Sequence, residues 1–165
     1  PSWLSVKAAT FRQCDAETEI CATAPGSYNC VLSASTIQWF NSPADFLPRM
    51  ARAMAPGAIA AIAVYGPATY REISALTGRG LRYLSMEQLC DAAGKSGLEI
   101  IAANSETTLQ TFTDASAMLR HMKLTGVNGN SSSTALAMKI MRALPAGQPA
   151  GLTYNPIYLI LKKHD

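Results

Sequence analysis

Between Tyr28 and Tyr65 the chain reads Tyr28-Asn29-Cys30-Val31-Leu32-Ser33, then Ser42-Pro43-Ala44-Asp45-Phe46-Leu47, then Ala58-Ile59-Ala60-Ala61-Ile62-Ala63-Val64-Tyr65. The first and last pieces are continuous apolar runs of strand length, of the kind found where both faces of a sheet are covered. The middle piece starts a helix: Ser42 can cap, Pro43 suits the first helical position, and Asp45 meets the positive helix end. Phe46, Leu47, Met50, Ala51 and Met54 then recur at helical spacing, and Pro56-Gly57 is the expected stop. Strand, helix and strand with short links form a right-handed crossover, so the chain is predicted to be an α/β domain with a largely parallel sheet.

Working outward, Ala9–Gln13 is a second short strand, followed by a polar loop holding Asp15, Glu17 and Glu19. Downstream, Tyr70, Ile73 and Leu76 share one face of a helix that Gly78 stops, and a basic loop, Arg79-Gly80-Leu81-Arg82, follows. Ser85-Met86-Glu87-Gln88 has the form of a capping box, with Met86, Leu89, Cys90 and Ala93 as the buried stripe. Leu98–Ala102 is the next strand. Two helices in succession, Asp114–Lys123 and Ser133–Leu144, joined by the polar loop 126–130, break the alternation before a last strand, Leu152–Leu161. The organisation is one α/β unit, residues 1–165, with a small helical insertion over about 112–147.

Composition agrees with a packed domain. The chain has 165 residues, 48% hydrophobic and 15% charged, with a formal charge of +3 and a mean hydropathy of +0.09, which excludes disorder for most of it. The longest apolar stretch, Ala58–Val64, is far short of the roughly 20 residues a membrane helix needs, so no membrane partner is expected. Cys14, Cys21, Cys30 and Cys90 form no C-x-x-C pair and only two histidines are present, so no metal is expected. Cysteines beside apolar residues, as in Cys30-Val31-Leu32, read as small buried hydrophobes of a reducing, cytoplasmic protein. No secretion signal is visible, and a chain that starts at Pro1 is expected to lack something in front. There is no Walker loop, no G-x-S-x-G, and no aromatic-basic run of the kind that binds nucleic acid.

What remains is an acid after one strand (Asp15), a small polar patch after the next (Ser33-Ala34-Ser35), and the pair Gln38-Trp39. Ligands of open α/β sheets sit at the carboxyl ends of strands, which makes these the default pocket. Phe11-Arg12-Gln13-Cys14-Asp15-Ala16-Glu17 and Tyr28 to Trp39 resemble the third- and fourth-strand motifs of class I S-adenosylmethionine-dependent methyltransferases. Val64 to Glu72, Met118 to Gly126 and Gly151 to Tyr158 narrow the resemblance to the malonyl-acyl-carrier-protein O-methyltransferases that open biotin synthesis. It implies a Rossmann-like sheet, mostly parallel with an antiparallel last strand, and S-adenosylmethionine as cosubstrate. It also implies an upstream Gly-rich loop and acidic strand end. Residues 1–13 contain no glycine, so the N-terminal strands and that loop are expected to be missing and cofactor binding by residues 1–165 alone to be weak.

By resemblance, Asp15 and Ala16 meet the adenine, Ser33, Ala34 and Ser35 the methionine end, and Gln38 lies beside the transferred methyl. Trp39, Tyr65 and Arg82 border the substrate, with Arg82 clamping the malonyl carboxylate through a planar guanidinium. Each has a plainer alternative: a solvated loop acid for Asp15, a strand end for Ser33, a core aromatic for Trp39, a core cap for Tyr65, and a surface arginine for Arg82, with Arg79 competing for its role. His121 reads as a helix-surface or packed residue, and Met118, Met122, Met138 and Met141 as a core stripe. Arg71, Arg79, Arg82, Arg120 and Lys123 offer a basic face to an acidic carrier protein. The function implied is O-methylation of the free carboxylate of malonyl-acyl-carrier protein or malonyl-CoA by alignment, with no catalytic acid or base. The alternatives are another small acceptor, or a non-catalytic binding chain. The strands near Ala9 and Tyr28 are expected to leave open edges that invite pairing with another chain.

Overall fold

The computed structural model describes residues 11–78, 80–125, 134–144 and 147–164. In chain order they form α1 (Ala16–Ala22), β1 (Tyr28–Ala34), a 3-10 turn (Ile37–Trp39), α2 (Pro43–Ala53), β2 (Met54–Tyr65), α3 (Arg71–Thr77) and α4 (Met86–Lys95). Then come β3 (Leu98–Ser105), β4 (Thr108–Phe112), α5 (Ala115–Leu124), α6 (Thr134–Ala143), β5 (Ala150–Tyr154) and β6 (Pro156–Lys163). The main sheet has the order β1-β2-β6-β3. β1 and β2 are parallel, and β6 runs antiparallel between β2 and β3, so β1, β2 and β3 share one direction and only the last strand opposes them.

The crossover expected from Tyr28 to Tyr65 is present, with one local change. Helix α2 stops at Ala53, and its buried face is Phe46, Leu47, Met50, Ala51 and Ala53. Pro56 and Gly57 do not stop it. They lie inside β2, where the pairing with β1 jumps from Tyr28↔Met54 to Cys30↔Ile59 and Gly57 has φ of +71°. A proline without an N–H and a glycine at positive φ are suited to such a bulge. Ser42 makes no side-chain cap to α2; its own N–H donates instead to Glu17 Oε1 at 3.1 Å.

Burial along β2 alternates, with Ala58, Ala60, Ile62 and Val64 buried and Ile59 exposed. The buried side packs on α2 and α4 through Leu47, Met50, Leu89 and Ala93, together with Leu159 and Leu161 of β6. The opposite side carries Ile59 and Tyr158, both exposed. The both-faces-covered expectation is therefore corrected: among the described residues one face is covered. Strand β1 lies at the sheet edge, and its Cys30 and Leu32 pair with Ile59 and Ala61 on the uncovered face, which leaves Leu32 79% exposed and Cys30 exposed rather than buried. Cys14 and Cys21 are exposed too. The expected strand Ala9–Gln13 falls partly outside the described residues, and Phe11, Arg12 and Gln13 belong to no strand.

The capping box at Ser85 and Gln88 forms on both sides. The expected single strand Leu152–Leu161 is corrected to two strands in different sheets. Asn155 breaks it: β5 pairs with β4, which the sequence reading did not anticipate, and β6 joins the main sheet. Helices α5 and α6 lie between β4 and β5 and share a second core of Tyr70, Ile73, Met118, Met122, Ile140 and Leu152. Met138 and Met141 are exposed, so the methionine stripe is confined to α5. The loop 126–130 lies outside the described residues.

Candidate functional site

A cleft of about 510 Å³ opens where β1 and β2 end. Ser35 follows β1, Gln38 and Trp39 come from the 3-10 turn, and Tyr65 is the last residue of β2; all four line the cleft. The facing wall is built from Tyr70, His121 and Tyr154, with Leu81 and Tyr83 from the loop before α4, and Gln110 and Thr125 at its end. None of the described lining residues is Lys, Arg, Asp or Glu.

Two sets of hydrogen bonds hold this wall in place. Glu72 of α3 accepts the Thr153 N–H at 2.9 Å and the Thr153 hydroxyl, which fixes β5 beside Tyr154. Burial raises the Glu72 pKa, but the two Thr153 hydrogen bonds outweigh it and hold the carboxyl below its ordinary value. Asn155 accepts the Gly66 N–H on its backbone oxygen at 2.7 Å, and its side chain donates to Glu106 O at 2.9 Å and Thr107 Oγ1 at 3.2 Å. The turn after β2 and the link between β3 and β4 are thus tied to one residue.

Inside the cleft, the Tyr70 hydroxyl donates to the Tyr154 hydroxyl at 3.2 Å, and His121 Nε2 lies 2.8 Å from the same oxygen. Desolvation raises the pKa of Tyr70 and of Tyr154 and, with Tyr65 nearby, pushes Tyr83 up to about 12. These phenols therefore present O–H groups near neutrality. Gln38 is only 6% exposed, and its Oε1 has no hydrogen-bond partner. A buried acceptor left open costs about 1–3 kcal/mol, so it is a place for a ligand donor.

Of the residues expected from sequence, Gln38, Trp39 and Tyr65 meet at this cleft, and Trp39, at 43% exposure, is no core residue. Ala16 and Ser33 line a separate hollow of about 250 Å³ beside Cys14 and Tyr28. Asp15 is the N-cap of α1, its Oδ1 accepting from Glu17 N at 2.8 Å and Thr18 N at 3.3 Å. Ala34 ends β1 and is exposed. Arg82 is exposed at the rim; its neighbours Leu81 and Tyr83 line the cleft and it does not. Arg71, Arg120 and Lys123 are exposed as expected of a basic face, and Arg79 lies outside the described residues.

The sequence reading gave no site role to Tyr70, Tyr83 and Tyr154, and read His121 as a helix-surface or packed residue, of which the structure bears out the second. His121 is half-buried and stacks 5.1 Å from the Phe112 ring, not on the solvated face of Arg120 and Lys123. The available signal was its position three residues after buried Met118, on the flank of the buried stripe.

A methyltransferase-domain family model matches residues 3–62. A malonyl-[acyl-carrier protein] O-methyltransferase of Bacteroides thetaiotaomicron is 32% identical over 97% of this chain and 66% of its own length. One from Prosthecochloris aestuarii is 31% identical over 90% of this chain and 58% of its own length. The chain thus spans 58% to 66% of the length of these two relatives. Among solved structures, a candidate methyltransferase of Bacillus halodurans aligns with a TM-score of 0.60 at 12% identity, covering 86% of this chain and 72% of that one.

Proposed function

Because the chain belongs to the class I S-adenosylmethionine-dependent methyltransferases, we propose that its protein methylates the free carboxylate of a malonyl thioester, carried by acyl-carrier protein or coenzyme A. The reading places it in the cytoplasm at the start of biotin synthesis; what supports the acceptor is the name of the relatives at 32% and 31% identity, malonyl-[acyl-carrier protein] O-methyltransferase. The observation that carries it is the meeting of Gln38, Trp39 and Tyr65 at the carboxyl ends of β1 and β2, where ligands of such sheets sit.

The residues present fit the cosubstrate at its methionine end, whose ammonium is a donor for the buried Gln38 Oε1, an acceptor in want of one. Gln38 would hold it there, Ser33 and Ala34 would border its methionine part, and Asp15 and Ala16 would meet its adenine near the smaller hollow. S-adenosylmethionine supplies, when bound, a methyl on a positively charged sulfur that departs with the carbon–sulfur electron pair. A carboxylate with a pKa of about 4 is ionised at neutral pH, so its oxygen forms the new carbon–oxygen bond without a base. The protein's part is to align the acceptor and exclude water. The aromatic lining of Trp39, Tyr65, Tyr70, Tyr83 and Tyr154 excludes water, and Arg82 at the rim receives the incoming carboxylate and, with Arg71, Arg120 and Lys123, an acidic carrier.

The test is steady-state methyl transfer to malonyl-CoA by full-length protein and its Arg82→Ala variant. The expected result is a rise in KM of about tenfold or more, as for a lost charge-assisted hydrogen bond. Unchanged KM and kcat would remove Arg82 from the site.

A further inference from the structure

We infer that Tyr154, oriented by His121 and Tyr70, is the group that positions the acceptor's carboxylate, so that the cleft selects anionic acyl groups through neutral hydroxyl donors. The inference rests on the malonyl reading above and names the residues that give it specificity.

Three elements bring these groups to one point. Tyr70 caps α3, His121 projects from α5 and Tyr154 ends β5. The hydrogen bonds among them give the buried hydroxyls the partners that burial demands. The backbone adds a second sign. Among the described residues only Ser35 and Tyr70 are non-glycines with positive φ, at 52° and 54°, and both line this cleft. Strain of that kind collects where a ligand site dictates geometry.

Counting protons shows what the chain of hydroxyls can do. The Tyr70 proton goes to the Tyr154 oxygen, leaving Tyr154 with one proton to place. If His121 Nε2 is bare, that proton goes to Nε2 and the cleft receives nothing. If Nε2 carries hydrogen, His121 donates to the Tyr154 oxygen, which then accepts twice and turns its own O–H to the cleft. A carboxylate can only accept, so its arrival selects the second arrangement. Among the described residues no Lys or Arg lines the cleft, so once past the rim the anion is met by neutral donors, and an uncharged acyl group gains little from them. Tyr154 would touch substrate; His121 and Tyr70 are positioning residues acting through it.

The experiment is calorimetric titration of full-length protein, held with S-adenosylhomocysteine, by malonyl-CoA and by acetyl-CoA, which lacks the carboxylate. Tyr154→Phe and His121→Leu should each weaken malonyl-CoA about tenfold, one lost hydrogen bond to a charged group, with the double variant no weaker than either single. His121→Gln, whose amide N–H stands where Nε2–H was, should restore binding to within about threefold. Acetyl-CoA and S-adenosylhomocysteine affinities should stay within about twofold in every variant, which separates positioning from misfolding. Equal losses for both thioesters, additive losses in the double variant, or no loss would overturn the inference while leaving the malonyl reading intact. Failure of the wild type to bind malonyl-CoA would overturn both.

Discussion

Replacing Gly66 by alanine tests how the cleft is held open. A β-carbon built on Gly66 would lie 2.4 Å from Asn155 Oδ1 and 2.8 Å from Ile157 Cδ1. Asn155 cannot swing aside freely, since its side chain bonds to Glu106 O and Thr107 Oγ1, its N–H donates to Thr69 Oγ1 at 3.1 Å, and its carbonyl takes the Gly66 N–H. Relief therefore means overpacking strain of about 1–3 kcal/mol, or loss of one or two of these bonds at about 1 kcal/mol each. The expected cost is about 1–3 kcal/mol, a fall in Tm of about 3–9 °C for a chain of this size. Urea and thermal unfolding of Gly66→Ala, Asn155→Ala and the double variant measure it. The two substitutions should be non-additive, because removing the Asn155 side chain clears the space, with a coupling of about 1–2 kcal/mol. KM should rise with it, since Tyr65 and Tyr154 flank the two ends of the clamp. A cost below about 0.5 kcal/mol, or strict additivity, would refute the claim that this contact is tight.

Two further outcomes follow from other contacts. Glu17 receives hydrogen bonds from Asn41 N, Asn41 Nδ2 and Ser42 N, and these, the Asn41 backbone bond foremost, hold its carboxyl below its ordinary pKa. A depressed folded value contributes stability that is present above the unfolded pKa and lost as pH falls through the folded one. The stability gap between wild type and Glu17→Gln should therefore shrink between about pH 6 and pH 3; a gap independent of pH in denaturant titrations would contradict it. Arg52 Nη2 donates to the carbonyls of Ile20, Cys21 and Thr23 at 3.2, 2.9 and 2.7 Å, closing the end of α1. Arg52→Ala should cost about 1–2 kcal/mol and Arg52→Lys less, and hydrogen exchange should show the loss localised to α1.

The fold was legible where local chemistry and periodicity agreed. The Tyr28–Tyr65 crossover, the Ser85 capping box and the helix beginning near Asp114 are decided within a few residues, and the structure keeps them. The Pro56-Gly57 pair misled because a stop and a bulge use the same residues, and only pairing with β1 distinguishes them. Asn155 hid the division of the last strand, since its role is fixed by partners 48 or more residues away. Gln38, Trp39 and Tyr65 were legible because strand ends are. His121 was not, as flanking charges said surface while its i+3 relation to Met118 said cleft.

The most direct test of the account is transfer of isotope-labelled methyl from S-adenosylmethionine to malonyl-CoA and malonyl-acyl-carrier protein by the full-length protein, with the product identified by mass and by base hydrolysis. The account predicts one labelled methyl per acceptor, bound as an ester that base releases as methanol. Cofactor binding without labelled malonyl ester, or label placed on carbon or nitrogen of another acceptor, would contradict it.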